Sequence, residues 1–273
     1  MFEGMRVVVV TPAGRKPYLE ILVRYILSLR PIVDEYRLWV NTNWQPDLEY
    51  MDELAETYPD FITLEKLSVG FAWSASIFSF FKNCVDENTI YVRFDDDIVC
   101  VDTKDAFSSF LKFRKDNPEY FLVYATMLNN AVVSHIQQTH GLLPTDQGVV
   151  SKTCMDSLGW ENGWFAKYVH EHILSKDSLA PFRMPNYRID DFTRVSINTI
   201  SWLGKDFAQF EGIVDKHEEE DLACHIPQRL NRPTIIFGDF VTVHYAFGPQ
   251  RERVHFEPSI LQRYSERSLK LAV

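Results

Sequence analysis

A mostly parallel α/β sheet with helices on both faces, carrying one inserted loop/helix region, is the fold this sequence predicts, and three observations predict it. Short apolar runs alternate with amphipathic stretches over residues 5–125. The rhythm breaks over 128–194 and resumes near 196, as an insertion would make it. No internal repeat, low-complexity tract or Gly/Ser linker interrupts the 273 residues, so one domain over 1–273 is expected.

Each element has its own local reason. Residues 5–11 are a valine-rich run stopped by Pro12-Ala13-Gly14, the pattern of a buried strand. Over 16–30, Leu19, Leu22, Val23, Ile26, Leu27 and Arg30 recur at three- and four-residue spacing, which predicts an amphipathic helix. A strand over 36–40 ends in Asn41-Thr42-Asn43. A helix over 48–58, a strand over 61–67, a very apolar helix over 71–85 and a strand over 89–94 follow, the last running into Asp95-Asp96-Asp97. A helix over 103–115 and a strand over 120–125 close the regular part. The irregular region holds Trp160, Trp164, His135, His140, His170 and His172. Beyond it the pattern predicts an apolar stretch over 196–202, a helix over 218–229, strands over 234–237 and 240–245, and a tail helix over 259–271.

Composition removes several function classes. With 28 Lys+Arg against 38 Asp+Glu the formal charge is -10, and no run of five basic residues offers a patch for nucleic acid or an anionic membrane. Cys84, Cys100, Cys154 and Cys224 contain no C-x-x-C pair, so reduced and mostly buried thiols are expected rather than a zinc knuckle or a disulfide framework. The opening MFEGMRVVVVTPAGR has only a four-valine run, too short for a signal sequence or a membrane span, so a cytoplasmic chain without a transmembrane segment is expected.

In open α/β sheets ligands gather beyond the carboxyl ends of the strands. The first strand delivers Thr11, Gly14 and Arg15 there, the second Asn41 and Asn43, and the fourth the three aspartates. A nucleotide laid across this edge would have its base and ribose near the first two strands and its diphosphate near the aspartates. Three consecutive carboxylates repel one another, and a divalent cation is the simplest neutraliser; a solvated aspartate turn or a helix cap is the plain alternative. Hard oxygen ligands suit Mg²⁺ or Mn²⁺, which bridge diphosphates. A second acidic run, Glu218-Glu219-Glu220-Asp221, opens a predicted helix. Acids in a first turn are favoured by the helix dipole without any catalytic role, yet one of them placed near a sugar would serve as a general base, with Asp221 first and Glu220 next. His244 lies in the apolar run FVTVHYAF, where a buried, satisfied imidazole is the ordinary expectation. Arg15, Lys205, Arg251 and Arg253 are basic residues available to phosphates, or plain solvated surface.

Taken in order, these features resemble the GT-A glycosyltransferases, over roughly residues 5–125 and 196–247. The first strand and its loop, Val7 to Arg15, look like the family's nucleotide-holding start; Asp95-Asp96-Asp97 looks like its Asp-x-Asp motif. Glu219-Glu220-Asp221 is similar to its later x-Glu-Asp motif, and His244 to the histidine that completes its metal site. Ser68 to Ser76 look like the approach to the donor, and Ser201-Trp202-Leu203-Gly204 like the glycine loop ahead of the acidic helix. The resemblance implies a GT-A type, Rossmann-like fold and a metal-dependent transfer of sugar from a nucleotide-diphosphate sugar, UDP favoured, to a glycan or other hydroxyl acceptor. It implies Thr11, Ala13, Arg15, Asn41, Ser74, Asp95 and Asp96 as donor contacts. Asp97, His244 and Asp95 would hold Mn²⁺ or Mg²⁺, and Asp221 would be the base of an inverting displacement. Residues 1–127 would then be the nucleotide-binding half, 128–195 the acceptor region, and 196–273 the part that completes the metal site.

Two other classes share some of these residues. Asp95-Asp96-Asp97-Ile98-Val99 also fits the D-x-D-x-[TV] pattern of haloacid-dehalogenase-like phosphatases, although that motif normally opens its chain. A non-catalytic carbohydrate- or nucleotide-binding module would leave both acidic clusters as surface, with Trp160 and Trp164 available to stack on sugar rings.

Overall fold

The computed structural model of the chain describes residues 1–67, 73–253 and 258–271. Its strands are β1 (Arg6–Ala13), β2 (Glu35–Val40), β3 (Ile62–Glu65), β4 (Thr89–Phe94), β5 (Ile98–Val101), β6 (Val123–Leu128), β7 (Tyr187–Ile189), β8 (Thr199–Leu203) and β9 (Thr234–His244). They form one sheet in the order β3-β2-β1-β4-β8-β6-β9-β5, with β7 also paired to β9. Strands β1 to β4, β6 and β9 run one way, and β5, β7 and β8 the other. The mostly parallel α/β fold expected from the sequence is therefore present, with its antiparallel members confined to the half beyond β4.

Both faces of the sheet are covered, which is why β1 can be four valines in a row: Val7 to Val10 are fully buried. Helix α1 (Lys16–Ser28) buries Leu19, Ile21, Leu22, Val23, Tyr25, Ile26 and Leu27. Helix α2 (Gln45–Thr57) follows β2, and α3 (Lys104–Asp116) begins where the Thr103 hydroxyl accepts the Ala106 N–H at 3.3 Å. On one face Phe94 of β4 meets Phe107 and Phe240. On the other, Tyr91 stacks on Trp202, inside a cluster with Phe81 and Phe207. Side chains alternate along a strand, so Tyr91, Arg93 and, past the strand's end, Asp95 share the second face.

The structure corrects several elements. Residues 98–101, to which the sequence assigned no element, form β5, so the aspartates occupy a turn between two strands. The two strands expected over 234–245 are one strand, β9, whose pairing with β6 shifts register beside Tyr124 and Thr126. Gly238 lies at this irregularity against the Met184 backbone, where a Cβ would come within 1.6 Å of its carbonyl oxygen. The helix expected over 71–85 is a tight 3₁₀ run, Trp73–Asn83. The helix expected over 218–229 runs through Glu218–Glu220, a π turn at Asp221–His225, and Ile226–Leu230. The insertion supplies α4 (Ala131–Thr139), α5 (Gly163–Leu174) and strand β7, so part of it belongs to the sheet. No helix among the described residues is long and apolar enough to cross a membrane.

Candidate active site

The carboxyl ends of β1, β2 and β4 meet at one edge of the sheet. Asp95 begins a turn closed by the Ile98 N–H on its carbonyl (3.1 Å), and its own N–H donates to the Asn198 carbonyl (2.8 Å), just before β8. The turn ends on the Asp97 carbonyl, which accepts the Tyr245 N–H beyond β9 (2.9 Å). Backbone pairing thus fixes all three aspartates between β4, β5, β8 and β9.

Each carboxylate has its own surroundings. Asp96 accepts the Gly14 N–H through Oδ2 (2.9 Å) and Arg15 Nε through Oδ1 (2.9 Å), with Arg15 Nη2 on the same oxygen. This pins the loop after β1 onto the turn after β4. Gly14 is needed there, because a Cβ would lie 2.7 Å from the Asn41 carbonyl oxygen at the end of β2. Asp95 gives Oδ1 to Arg93 Nε (2.9 Å) and Nη2 (2.8 Å), and Oδ2 to Asn198 Nδ2 (3.0 Å). Asp97 is the most enclosed, at 2% exposure. Its Oδ2 faces Arg15 Nη1 (3.1 Å), His244 Nε2 (3.3 Å) and Arg251 Nη2, whereas its Oδ1 is buried without a partner among the described residues.

Burial pushes both inner carboxyls up, and the cations decide the outcome. At Asp96 burial outweighs Arg15 and the acid stays raised. At Asp97 burial is overcome by Arg15, His244 and Arg251, and the acid lies well below the usual carboxylate range. Arg15 is held protonated in turn, its own burial outweighed by Asp96 and Asp97.

These groups line a cleft of about 320 Å³ bounded by Pro12, Gly14, Arg15, Asn41, Thr42, Ile77, Arg93, Asp95 and Asp96. Four of the expected donor contacts, Arg15, Asn41, Asp95 and Asp96, open onto it. Thr11 does not: it is fully buried, and its hydroxyl accepts from Tyr36 (3.1 Å). Ala13 is also buried, and its carbonyl accepts the Asn41 N–H (2.8 Å), so it joins β1 to β2 rather than facing the cleft. The side chain of Ser74 and the run 68–72 lie outside the described residues. Gly204, expected in a loop ahead of the acidic helix, follows β8 at the opposite end of the sheet, since β8 runs antiparallel to β4 and Leu203 pairs with Ile90. Lys205 is carried away from the cleft with it.

Of the expected metal ligands, the structure brings Asp97 and His244 together and holds Asp95 apart. Among the described residues no three of His, Cys, Asp or Glu converge as a ready-made cage. The pair still fits a hard divalent cation. The His244 Nδ1 lies 3.2 Å from the Asn129 carbonyl, which turns Nε2 toward Asp97, and Asp97 Oδ1 has no hydrogen-bond partner among the described residues. Mg²⁺ and Mn²⁺ sites commonly draw one or two protein groups and complete themselves with phosphates and water.

The second acidic run is dispersed. Glu219 pairs with Arg194 (2.7 Å), Glu220 has only long contacts to Arg194 (3.9 Å) and His225 (4.0 Å), and Asp221 accepts the Asp215 N–H (2.9 Å). Glu218 is the member that feels the cleft: burial pushes its carboxyl up, against the pull of Arg93, while Asp95 adds to the rise. Sequence reasoning passed over Arg93, Asn198 and Glu218. The Arg93–Asp95 pair was legible as an i, i+2 spacing on one strand face. Asn198, brought in from the start of β8, left no local signal.

No protein-family model matches the chain, and no curated protein matches it. Among solved structures, GalNAc-T7 with UDP, GalNAc and Mn²⁺ aligns with a TM-score of 0.53 at 9% identity, over 90% of this chain and 45% of that one. A 4-diphosphocytidyl-2C-methyl-D-erythritol synthase from Anaerococcus prevotii aligns with a TM-score of 0.45 at 12% identity over 97% of both chains. This chain therefore spans less than half the length of the GalNAc-T7 structure it matches. The likeness to GalNAc-T7 is one of fold: the chain has a mixed, Rossmann-like α/β sheet of the GT-A type.

Proposed function

We propose that the chain is a metal-dependent glycosyltransferase that moves a sugar from a nucleotide-diphosphate sugar, with UDP the favoured carrier, to a hydroxyl of a glycan or other acceptor. The observation that carries this reading is the aspartate turn at the end of β4, two of whose members line a cleft with Arg15 and Asn41 while the third is buried against His244. The base and ribose would lie by Asn41 and Thr42, with Asp95 toward the ribose or sugar and the diphosphate toward Arg15 and Asp97. Asp97 and His244 would hold Mn²⁺ or Mg²⁺, which when bound neutralises the departing phosphate.

In the inverting form of this reaction a carboxylate takes the acceptor's hydroxyl proton and the oxygen bonds to the anomeric carbon. The anomeric C–O bond to the β-phosphate breaks, and the nucleotide diphosphate leaves with that electron pair. Asp221 is our first candidate for the base, held by the Asp215 N–H, and Glu220 the second. Glu218 is a rival for the role because Arg93 and Asp95 both act on its carboxyl. The acceptor would enter past the insertion, where Trp160 leans on Phe247 (6.3 Å), itself 4.4 Å from the His244 ring.

Thermal unfolding with UDP, GDP and CMP, each with and without Mn²⁺, tests the reading on the native chain and on Asp97→Ala. A shift that needs one nucleotide together with Mn²⁺ and is lost in Asp97→Ala is expected. No shift with any nucleotide would overturn it and leave the phosphatase and binding-module readings.

A further inference from the structure

We propose that Arg251 is a built-in counter-ion occupying the metal's place on Asp97, and that it gives way only when metal and donor diphosphate arrive together. The inference rests on the metal-dependent reading above. Within the turn, three aspartates face three arginines: Asp95 pairs with Arg93, Asp96 with Arg15, and Asp97 with Arg251 and the remaining nitrogen of Arg15. A dication entering this balanced cluster alone overcharges a buried site, and a diphosphate entering alone undercharges it. Together they nearly cancel, so each raises the other's affinity.

Arg251 is the member able to move. Arg15 is fastened to Asp96 by two nitrogens, and Arg93 is 3% exposed within β4 and bound twice to Asp95. Arg251 reaches Asp97 through Nη2, and its Nε is buried without a partner among the described residues. Its guanidinium also lies over the Tyr18 ring (5.4 Å), a face along which it can turn without losing its packing. The backbone that carries it is fixed by the neighbouring Gln250, which is fully buried. Gln250 accepts the Phe247 N–H (3.0 Å) and donates to the Gly159 carbonyl (3.2 Å) and to Asn129 (3.3 Å). A side-chain rotation on a fixed backbone would therefore take Arg251 off Asp97, leaving Arg15 and His244 beside that carboxylate, and present Arg251 to the diphosphate.

The test is Mn²⁺ binding, followed by the electron paramagnetic resonance signal of free Mn²⁺, without nucleotide and then with UDP, on native chain, Arg251→Gln and Arg251→Lys. Arg251→Gln is expected to bind Mn²⁺ alone on the order of tenfold more tightly than native, because a competing charge within contact distance is gone. UDP should then raise its Mn²⁺ affinity less than it does in the native chain. Arg251→Lys, which keeps the charge but not the forked reach, is expected between the two and carries the test should Arg251→Gln fail to fold. If the variants bind Mn²⁺ alone no more tightly than native while native still binds Mn²⁺ with UDP, the role of Arg251 is overturned and the metal reading stands. If native and variants take up no Mn²⁺ even with UDP, both fall.

Discussion

The chain holds two acidic runs of similar composition, Asp95 to Asp97 and Glu218 to Asp221, and they are enclosed to different degrees. The aspartate side chains of the first are 19%, 4% and 3% exposed and rest on arginines; in the second, Asp221 is 13% exposed, Glu219 26% and Glu220 46%, and Glu219 rests on Arg194. The difference is topological. A run that follows a strand in the middle of a sheet is enclosed by its neighbours, and its charge must be met by protein cations or a bound ion. A run that opens a helix is enclosed on one side only, so water meets the members that face outward, such as Glu220. Counting carboxylates cannot separate the two cases, whereas knowing which element each run terminates can.

The sharpest break of this contrast is Asp97→Ala. Two guanidiniums and an imidazole would lose their shared carboxylate, so a loss of about 3–5 kcal/mol is expected in denaturant unfolding. A loss below about 1 kcal/mol would mean that the first run is as solvated as the second. Next comes a buried titratable group outside both runs. His170, on α5, lies between the Tyr245 carbonyl (2.6 Å) and the Tyr264 hydroxyl (2.9 Å) and is fully buried. Burial lowers its pKa from 6.5 to about 4. The unfolded chain therefore binds this proton more readily than the folded one, so the contribution is fully present above pH 6.5 and is lost as pH falls toward 4. Its size is about 3 kcal/mol. His170→Gln should flatten that part of the stability-versus-pH curve, and an unchanged slope between pH 6.5 and 4 would count against it. Gly14→Ala is expected to cost about 1–3 kcal/mol by pressing a Cβ against the Asn41 carbonyl. It should also weaken nucleotide-dependent stabilisation more than a core substitution of equal cost, since it spreads the two strand ends that form the cleft.

The first half of the fold was legible because its signals are local. Strand β4 runs over the residues expected, 89–94, and the turn chemistry after β1 and β2 placed Arg15 and Asn41 on the cleft. What stayed hidden depends on partners far along the chain. Ile98–Val101 is too short to announce a strand and is one because β9, well over a hundred residues later, pairs with it. Thr11 belonged to the right strand but to the wrong side of it, and only the Tyr36 hydroxyl reveals that. Gly204 was assigned from a motif order, and the antiparallel direction of β8 took it to the far edge. In the second acidic run a π turn at Asp221–His225 interrupts the helix expected over 218–229, an irregularity that a period of 3.6 residues does not announce.

The smallest stability effects fall in that run, and there they separate chemistry from structure. Glu220→Gln touches a half-exposed side chain with only long ionic contacts, so a change within about 0.5 kcal/mol is expected. Asp221→Asn keeps an oxygen for the Asp215 N–H and should be equally mild. Glu218→Gln removes a carboxyl that burial already disfavours and should cost no more. Because all three variants stay folded, a loss of transfer in any of them is a loss of the reaction itself, and kcat should fall with the donor's KM unchanged where the missing group is the base. If Asp221→Asn falls and Glu218→Gln does not, the helix start delivers its base from the π turn. If the order is reversed, the base stands beside Arg93 and Asp95, and the two acidic runs form one continuous site.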